Sequence, residues 1–364
     1  MAARALRIYA GPRARRHIEQ HGLRPQDISV VPGAAGGPKG LVLGALDRFV
    51  FGRWLPHSSQ PVHLVGASIG AWRMATACLE DPVPAFERLE RDYIAQDYEL
   101  EPGRKTPTAR HVSERFSQNL QSFYGGKVRQ VLEHPRYRLH IVTSRGRHLL
   151  SREHRLGTPL GYFGAYLCNG VHRRALCAWL ERVVFSSGPA AEALSLPFDD
   201  ADFLTRQVLL TEENFQPALQ ASCSIPFVLQ AVHDIPGAPP GAYWDGGITD
   251  YHLHLNYAAA HPQGLVLYPH FQKSVVPGWL DKAWRWRHGA TPFLDTTVVL
   301  APDAEWVRSL PNGKLPDRTD FPRYGTDLAA RMKVWQAAAS AAVQLAEEFE
   351  AWLARPDPRQ VEAL

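Results

Sequence analysis

Three short stretches of this chain carry residues spaced for chemistry. Gly66-Ala67-Ser68-Ile69-Gly70 sets a serine two residues from a glycine on either side, a spacing that suits a sharp strand-to-helix turn holding the hydroxyl above a sheet. About thirty residues upstream, Gly36-Gly37-Pro38-Lys39-Gly40 offers backbone N–H groups, and far downstream Asp245-Gly246-Gly247 puts a carboxylate on a loop that other backbone can approach. Attack of a serine on an acyl carbonyl needs such a set: a nucleophile, a base for its proton, and N–H donors where negative charge develops. The N–H of Ile69, at the start of the helix after Ser68, is a further donor, favoured by the helix dipole.

Each stretch also has an ordinary structural explanation. A G-x-S-x-G string is weak alone, an Asp-Gly-Gly turn is common without catalytic duty, and a glycine turn whose Pro38 starts a helix needs no ligand. The coincidence of the three carries the acyl-transfer reading. A nucleotide loop with Lys39 on phosphates fits poorly, because a P-loop has Gly before its lysine and Ser or Thr after it, and Pro38 and Gly40 stand there. The sixteen histidines keep a Ser-His-Asp triad open: His252, His254 and His270 follow Asp245, the order of an α/β-hydrolase. His252-x-His254 has metal-pair spacing, which alternation in a strand or turn explains as well. No metal or cofactor is expected.

The elements around these stretches read as alternating strand and helix. Ile28–Val31 is a strand ending in Pro32-Gly33, and Leu41, Val42, Ala45, Leu46, Phe49 and Val50 lie on one helix face after the glycine turn. Val62–Val65 and Ala71–Leu79 repeat the pattern, and two consecutive βα units imply a parallel sheet. Pro82–Pro135 reads as helical and polar, with a break at Pro102–Lys105 and an interruption at Gly125-Gly126. Further strands are predicted at Arg138–Thr143, Val183–Phe185, Gln207–Thr211, Leu265–Tyr268 and Thr296–Leu300, and helices at His172–Glu181 and Gln216–Ser222. Thr158–Gly170 is rich in glycine and aromatic residues, and a proline-studded loop, Pro311–Tyr324, leads to one long helix from Leu328 to Trp352 that packs back on the sheet. With no repeat and no shift of composition, residues 1–364 read as a single domain with insertions, its motifs within 28–250 and an extension of sheet and helix over 251–364.

Of 364 residues 45% are hydrophobic, enough for a sizeable core, and the net charge is +4. No run of lysine or arginine marks a nucleic-acid stripe, so nucleic acid is not an expected partner. No uninterrupted apolar run reaches spanning length, and Met1–Gly22 has arginines but no apolar stretch of signal type. A cytoplasmic protein is expected. Cys78, Cys168, Cys177 and Cys223 have no C-x-x-C spacing and read as reduced thiols. Trp279, Trp284 and Trp286 interleave with Lys282, Arg285 and Arg287, either as a contact with lipid head groups, a peripheral membrane attachment, or as a packed surface helix with solvated charges.

The order of glycine loop, G-x-S-x-G-A and D-G-G resembles that of the patatin-like phospholipases. Leu219-Gln220-Ala221-Ser222-Cys223-Ser224-Ile225-Pro226 ahead of Trp244-Asp245-Gly246-Gly247 is similar to that family's helix-then-proline segment before its aspartate. The resemblance runs from about Ile28 to Asp250. It implies a three-layer α/β/α fold with a mainly parallel central sheet, a Ser-Asp dyad of Ser68 and Asp245, an oxyanion loop of Gly36, Gly37, Pro38, Lys39 and Gly40 aided by Ile69, and motif glycines at Gly66, Gly70, Gly246 and Gly247. The implied substrate is a carboxylic ester, of the phospholipid or lysophospholipid kind. Three departures bear on it: Ala35 stands for the first of three glycines, Pro38 has no N–H, and Tyr251-His252-Leu253-His254 replaces a frequent Asn-x-Pro. They also allow a non-catalytic lipid-binding scaffold of the same fold.

Overall fold

The structure is a computed structural model describing residues 4–99, 103–104, 106–189 and 195–364. Its centre is a large mixed sheet flanked by helices. In chain order the strands are β1 (Leu6–Ala10), β2 (Ile28–Gly33), β3 (Val62–Ala67), β4 (Tyr137–Gly146), β5 (Leu180–Ser186), β6 (Thr205–Leu209), β7 (Val232–His233), β8 (Ala242–Asp245), β9 (Leu265–Pro269), β10 (Thr297–Pro302) and β11 (Val361–Ala363). Across the sheet they run β11-β1-β10-β9-β2-β3-β4-β5-β6, with β8 also pairing β4. The block β10-β9-β2-β3-β4 is parallel throughout.

The strand interiors alternate as a doubly covered sheet requires. Val31, Leu64, Leu139 and Ile141 face the larger helical layer, whereas Val30, Val65, Val142 and Val184 face a second layer with Leu196, Phe198 and the segment Tyr251–Tyr257. The loops after β2 and β3 leave the carboxyl ends of neighbouring parallel strands, where open α/β sheets place their ligands.

Several expected elements have different bounds. The strand predicted at Val183–Phe185 begins at Leu180, because Glu181 and Leu180 pair with Arg145 and Gly146 of β4. The helix predicted at His172–Glu181 is therefore reduced to a 3₁₀ turn, Arg173–Ala178. The strand predicted at Gln207–Thr211 ends at Leu209, since the Thr211 hydroxyl caps the helix Glu212–Ser222 by accepting from Asn214 N–H. The glycine- and aromatic-rich stretch is a helix, Gly157–Val171. The single long C-terminal helix is two, Leu328–Ala341 and Val343–Ala354, broken at Ala342, so that Trp335 packs between Tyr93 and Phe321 while Phe349 packs on Phe49 and Trp54. The loop Pro311–Tyr324 contains a short helix, Asp320–Tyr324. Of the break predicted at Pro102–Lys105, Pro102 and Lys105 lie outside the described residues. All four cysteines are free.

Candidate active site

The turn after β3 is built by its glycines. β2 and β3 run in register with Gly33 beside Gly66, and a Cβ on Gly70 would stand 1.8 Å from the Gly33 carbonyl oxygen. A Cβ on Gly66 would meet the Ala71 backbone at 2.4 Å. Only glycine lets the strand, the turn and the helix Ile69–Ala77 cross so closely. Ser68 takes the bend itself, with φ 56° and ψ −131°, a conformation that costs a serine about 1–3 kcal/mol. Ser222 holds it there: its Oγ accepts from Ser68 N–H at 3.0 Å and donates to the Val142 carbonyl at 2.7 Å.

Asp245 reaches the same point from β8, whose register on β4 sets Asp245 opposite Thr143. The Ser68 hydroxyl donates to Asp245 Oδ2 at 2.8 Å, and both side chains are buried. Asp245 Oδ1 accepts from Gly247 N–H at 2.7 Å. The two glycines after it are again a matter of space, because a Cβ on Gly246 would lie 2.0 Å from the Val142 carbonyl and one on Gly247 2.6 Å from Ala35 Cβ. Burial raises the Asp245 carboxyl above its ordinary range, against the opposing pull of Arg318, the Ser68 and Gly247 hydrogen bonds and Lys282.

The loop after β2 lies beside them. Ala35 N–H is engaged by the Tyr251 carbonyl at 2.9 Å, whereas the N–H groups of Gly36, Gly37 and Ile69 find no acceptor among the described residues. Gly37 has φ 58°, in the left-handed region that glycine enters freely, and a Cβ on Gly36 would meet the Phe271 ring at 2.5 Å. Pro38 falls in the first turn of a 3₁₀ helix, Gly37–Leu43, where a missing N–H costs no helical hydrogen bond. Gly40 packs against the Ile69 side chain. Lys39 stands with its ammonium 5.2 Å from the centre of the Phe271 ring.

A cleft with an empty volume of about 690 Å³, its open mouth included, descends to Asp245 and Gly247. Three cations line it: Lys39, Lys282 and Arg318. Among the described residues none of them has a carboxylate within the 4.0 Å of an ion pair; Asp317, also in the wall, is taken by Lys314 at 2.8 Å. The Lys282 ammonium lies 3.9 Å from the centre of the Tyr251 ring; the residue as a whole is exposed, and desolvation of its end in the cleft wall, with Arg318 and Lys39 nearby, lowers its pKa to about 7. On the other side of the loop a smaller hollow is lined by Gly37, Leu41, Ile69, Phe86 and Tyr93 together with the charged Asp47, Arg73 and Glu90.

The histidines offered for a triad lie elsewhere. His254 bonds Val275 O and Thr291 Oγ1, each at 2.8 Å, His252 Nδ1 accepts from Val276 N–H at 3.0 Å, and His270 Nδ1 bonds the Gln272 carbonyl. Sequence reasoning missed the residues that fix the two loops. Arg73 in the serine helix donates to both oxygens of Asp47, at 2.7 Å each, and so ties that helix to the one following the glycine loop. Arg182 of β5 likewise donates to both oxygens of Asp250, at 2.8 and 2.6 Å, below the Asp245 turn. A lone charge inside an otherwise apolar helix was the available signal for Arg73; Asp47, beside Arg48, had no such signal. Nothing in the sequence pointed to Arg318. Of the tryptophan cluster, Trp284 stacks on Tyr166 and Trp286 is exposed, on short 3₁₀ turns in place of a surface helix.

Among known proteins, the family model described as Patatin-like phospholipase matches residues 34–252, from the glycine loop to just beyond Asp245. No curated protein matches the chain.

Proposed function

Because the chain belongs to the patatin-like phospholipase family, a family of lipid acyl hydrolases, we propose that it cleaves a carboxylic ester with Ser68 as nucleophile and Asp245 as its only base. The observation that carries this is the direct 2.8 Å hydrogen bond from the Ser68 hydroxyl to Asp245 Oδ2. As Ser68 Oγ attacks the acyl carbon, the carboxylate takes its proton, and the free N–H groups of Gly36, Gly37 and Ile69 receive the developing oxyanion. The proton then passes to the leaving alcohol. Water, deprotonated by the same carboxylate, releases the acid and restores Ser68. The strained backbone at Ser68 and the Gly247 N–H on Oδ1 leave Oδ2 as the oxygen that exchanges the proton.

The surroundings favour an amphipathic ester. The cleft bearing Lys39, Lys282 and Arg318 suits an anionic leaving group such as a phosphate ester, with an apolar acyl part on the other side of the scissile bond. The test is labelling with a fluorophosphonate probe, the modified peptide being identified by mass spectrometry. Label confined to Ser68, absent in Ser68→Ala and slowed about a hundredfold or more in Asp245→Asn, is the expected result. Folded wild type that takes no label would instead favour a lipid-binding scaffold without turnover.

A further inference from the structure

We propose that the outer face of the helix Gly157–Val171, continued by Phe227 and Trp286, docks the protein on an anionic lipid surface with the Ser68 cleft facing that surface. The helix contains no charged residue in fifteen positions. Leu156, just before it, and Leu160, Phe163, Leu167 and Val171 are each between 52% and 86% exposed. Their spacing of three and four residues draws them into one stripe, about 22 Å long at 1.5 Å per residue. The opposite face is occupied by the body of the protein, with Tyr162, Ala165 and Asn169 buried, so the stripe is the helix's outward face. A contiguous exposed apolar surface of this kind marks a place of contact.

The patch extends beyond the helix on both sides. Tyr162 packs edge-on against Phe227, 60% exposed, at a ring separation of 6.2 Å. Phe227 is held at φ 70°, a conformation a bulky residue rarely adopts, and it directly follows Ile225 and Pro226 of the cleft wall. Tyr162 also packs on Trp244, the residue before Asp245, at 6.0 Å. Along the helix, Tyr166 stacks on Trp284, which carries the exposed Trp286 beside it at 5.0 Å. The helix that bears the stripe thus packs, through its inner face, on Trp244 beside Asp245 and on Phe227 next to the cleft wall.

Charge selects the occupant. Arg155 precedes the helix, His172 and Arg174 follow it, and Arg285 adjoins Trp286, all exposed; Arg174 donates to the Ala201 carbonyl, and among the described residues none of these arginines has a carboxylate within 4.0 Å. The acidic side chains nearby are Glu153, which accepts from Ala231 N–H, and Asp199, Asp200 and Asp202 around Ala201, of which Asp202 is paired with Arg182. An apolar strip with indole and arginine at its rim matches head groups above acyl chains. A second copy of this face would set arginine rim against arginine rim, whereas anionic lipid would neutralise it.

Docking rests on the proposed hydrolase function only for its purpose, and can be measured without it. The protein in Ser68→Ala form, which spares the lipid, is sedimented with vesicles of phosphatidylcholine and phosphatidylglycerol in equal parts and with phosphatidylcholine alone. The expected result is partition onto the mixed vesicles, weaker on the neutral ones, and lowered about tenfold or more by Leu160→Glu with Phe163→Glu. The same pair of changes, made with Ser68 intact, should leave turnover of a soluble short-chain ester unchanged. Should that variant not fold, Arg155→Gln with Arg174→Gln and Arg285→Gln should remove the preference for phosphatidylglycerol. Equal partition of variant and parent, equal partition onto both vesicles, no partition at all, or a dimer in analytical ultracentrifugation that the variant splits would each overturn the proposal. Vesicle binding without ester turnover would count against the dyad and not against the docking face.

Discussion

Removing Asp47 tests whether the glycine loop after β2 and the Ser68 turn are held together by one buried ion pair. Arg73 and Asp47 are both buried, and two hydrogen bonds of 2.7 Å join the guanidinium fork to both carboxylate oxygens. Asp47→Ala leaves the guanidinium in place with its charge unanswered, and breaking a buried pair in this way costs about 3–5 kcal/mol. With a urea m-value of about 3 kcal/mol/M for a chain of this size, the unfolding midpoint should fall by about 1–1.7 M. Arg73→Met should cost a similar amount. The double variant Asp47→Leu with Arg73→Met fills the space with apolar atoms and should recover most of the loss, since well-packed replacements of buried pairs are near neutral. A double-mutant cycle closed with Asp47→Leu and Arg73→Met as the single variants isolates the coupling. Fluorophosphonate labelling of the four proteins then separates stability from alignment: the double variant should be stable yet label Ser68 more slowly than wild type, because nothing fixes the glycine loop against the serine helix. An Asp47→Ala variant within about 1 kcal/mol of wild type, or single effects that simply add, would refute the clamp.

Two further outcomes follow from the same geometry. Ser222→Ala takes away the acceptor of the buried Ser68 N–H, and should cost about 1–3 kcal/mol in urea unfolding while slowing the labelling of Ser68; wild-type values for both would show that the elbow needs no such support. Lys282, whose pKa is lowered to about 7 by desolvation of its end and the neighbouring cations, binds fewer protons in the folded chain than in the unfolded one between about pH 7 and its ordinary pKa near 10.4. Stability therefore rises with pH through that window, so Lys282→Met should be more stable than wild type below about pH 7, and the gap should close toward about pH 10; a gap that widens with pH would contradict the assignment.

Local grammar made the elbow legible. Val62–Val65, the turn glycines and the helix after them are contiguous, and each glycine answers to backbone within a few ångströms, as the 1.8 Å approach at Gly70 shows. Ala242–Asp245 was invisible as a strand because its four residues are buried on both faces and its partner, β4, lies about a hundred residues away. The helix Gly157–Val171 was hidden by its glycines, which weaken the helical signal and are there because Leu150 and Trp179 pack where side chains at Gly161 and Gly164 would stand. The break at Ala342 has no local signal, alanine being a strong helix former; packing of the two halves on different partners decides it. Arg73, Asp47 and Arg318 illustrate the general limit: a charge can be read from the sequence, but which charge it meets depends on the completed fold.

The position of β1 has a consequence for how the chain is made. Its five residues, Leu6–Ala10, are flanked in the sheet by β10, Thr297–Pro302, and β11, Val361–Ala363. At about 5–20 residues per second of synthesis, the first of those partners emerges roughly 15–60 s after β1 itself. For that interval an apolar strand has both edges unpaired, the condition under which nascent chains join one another. The sheet centre, β2-β3-β4, can pair long before. Assembly of this protein is therefore ordered from the middle of the sheet outward, and slower translation or higher temperature lengthens or sharpens the exposure of its first strand.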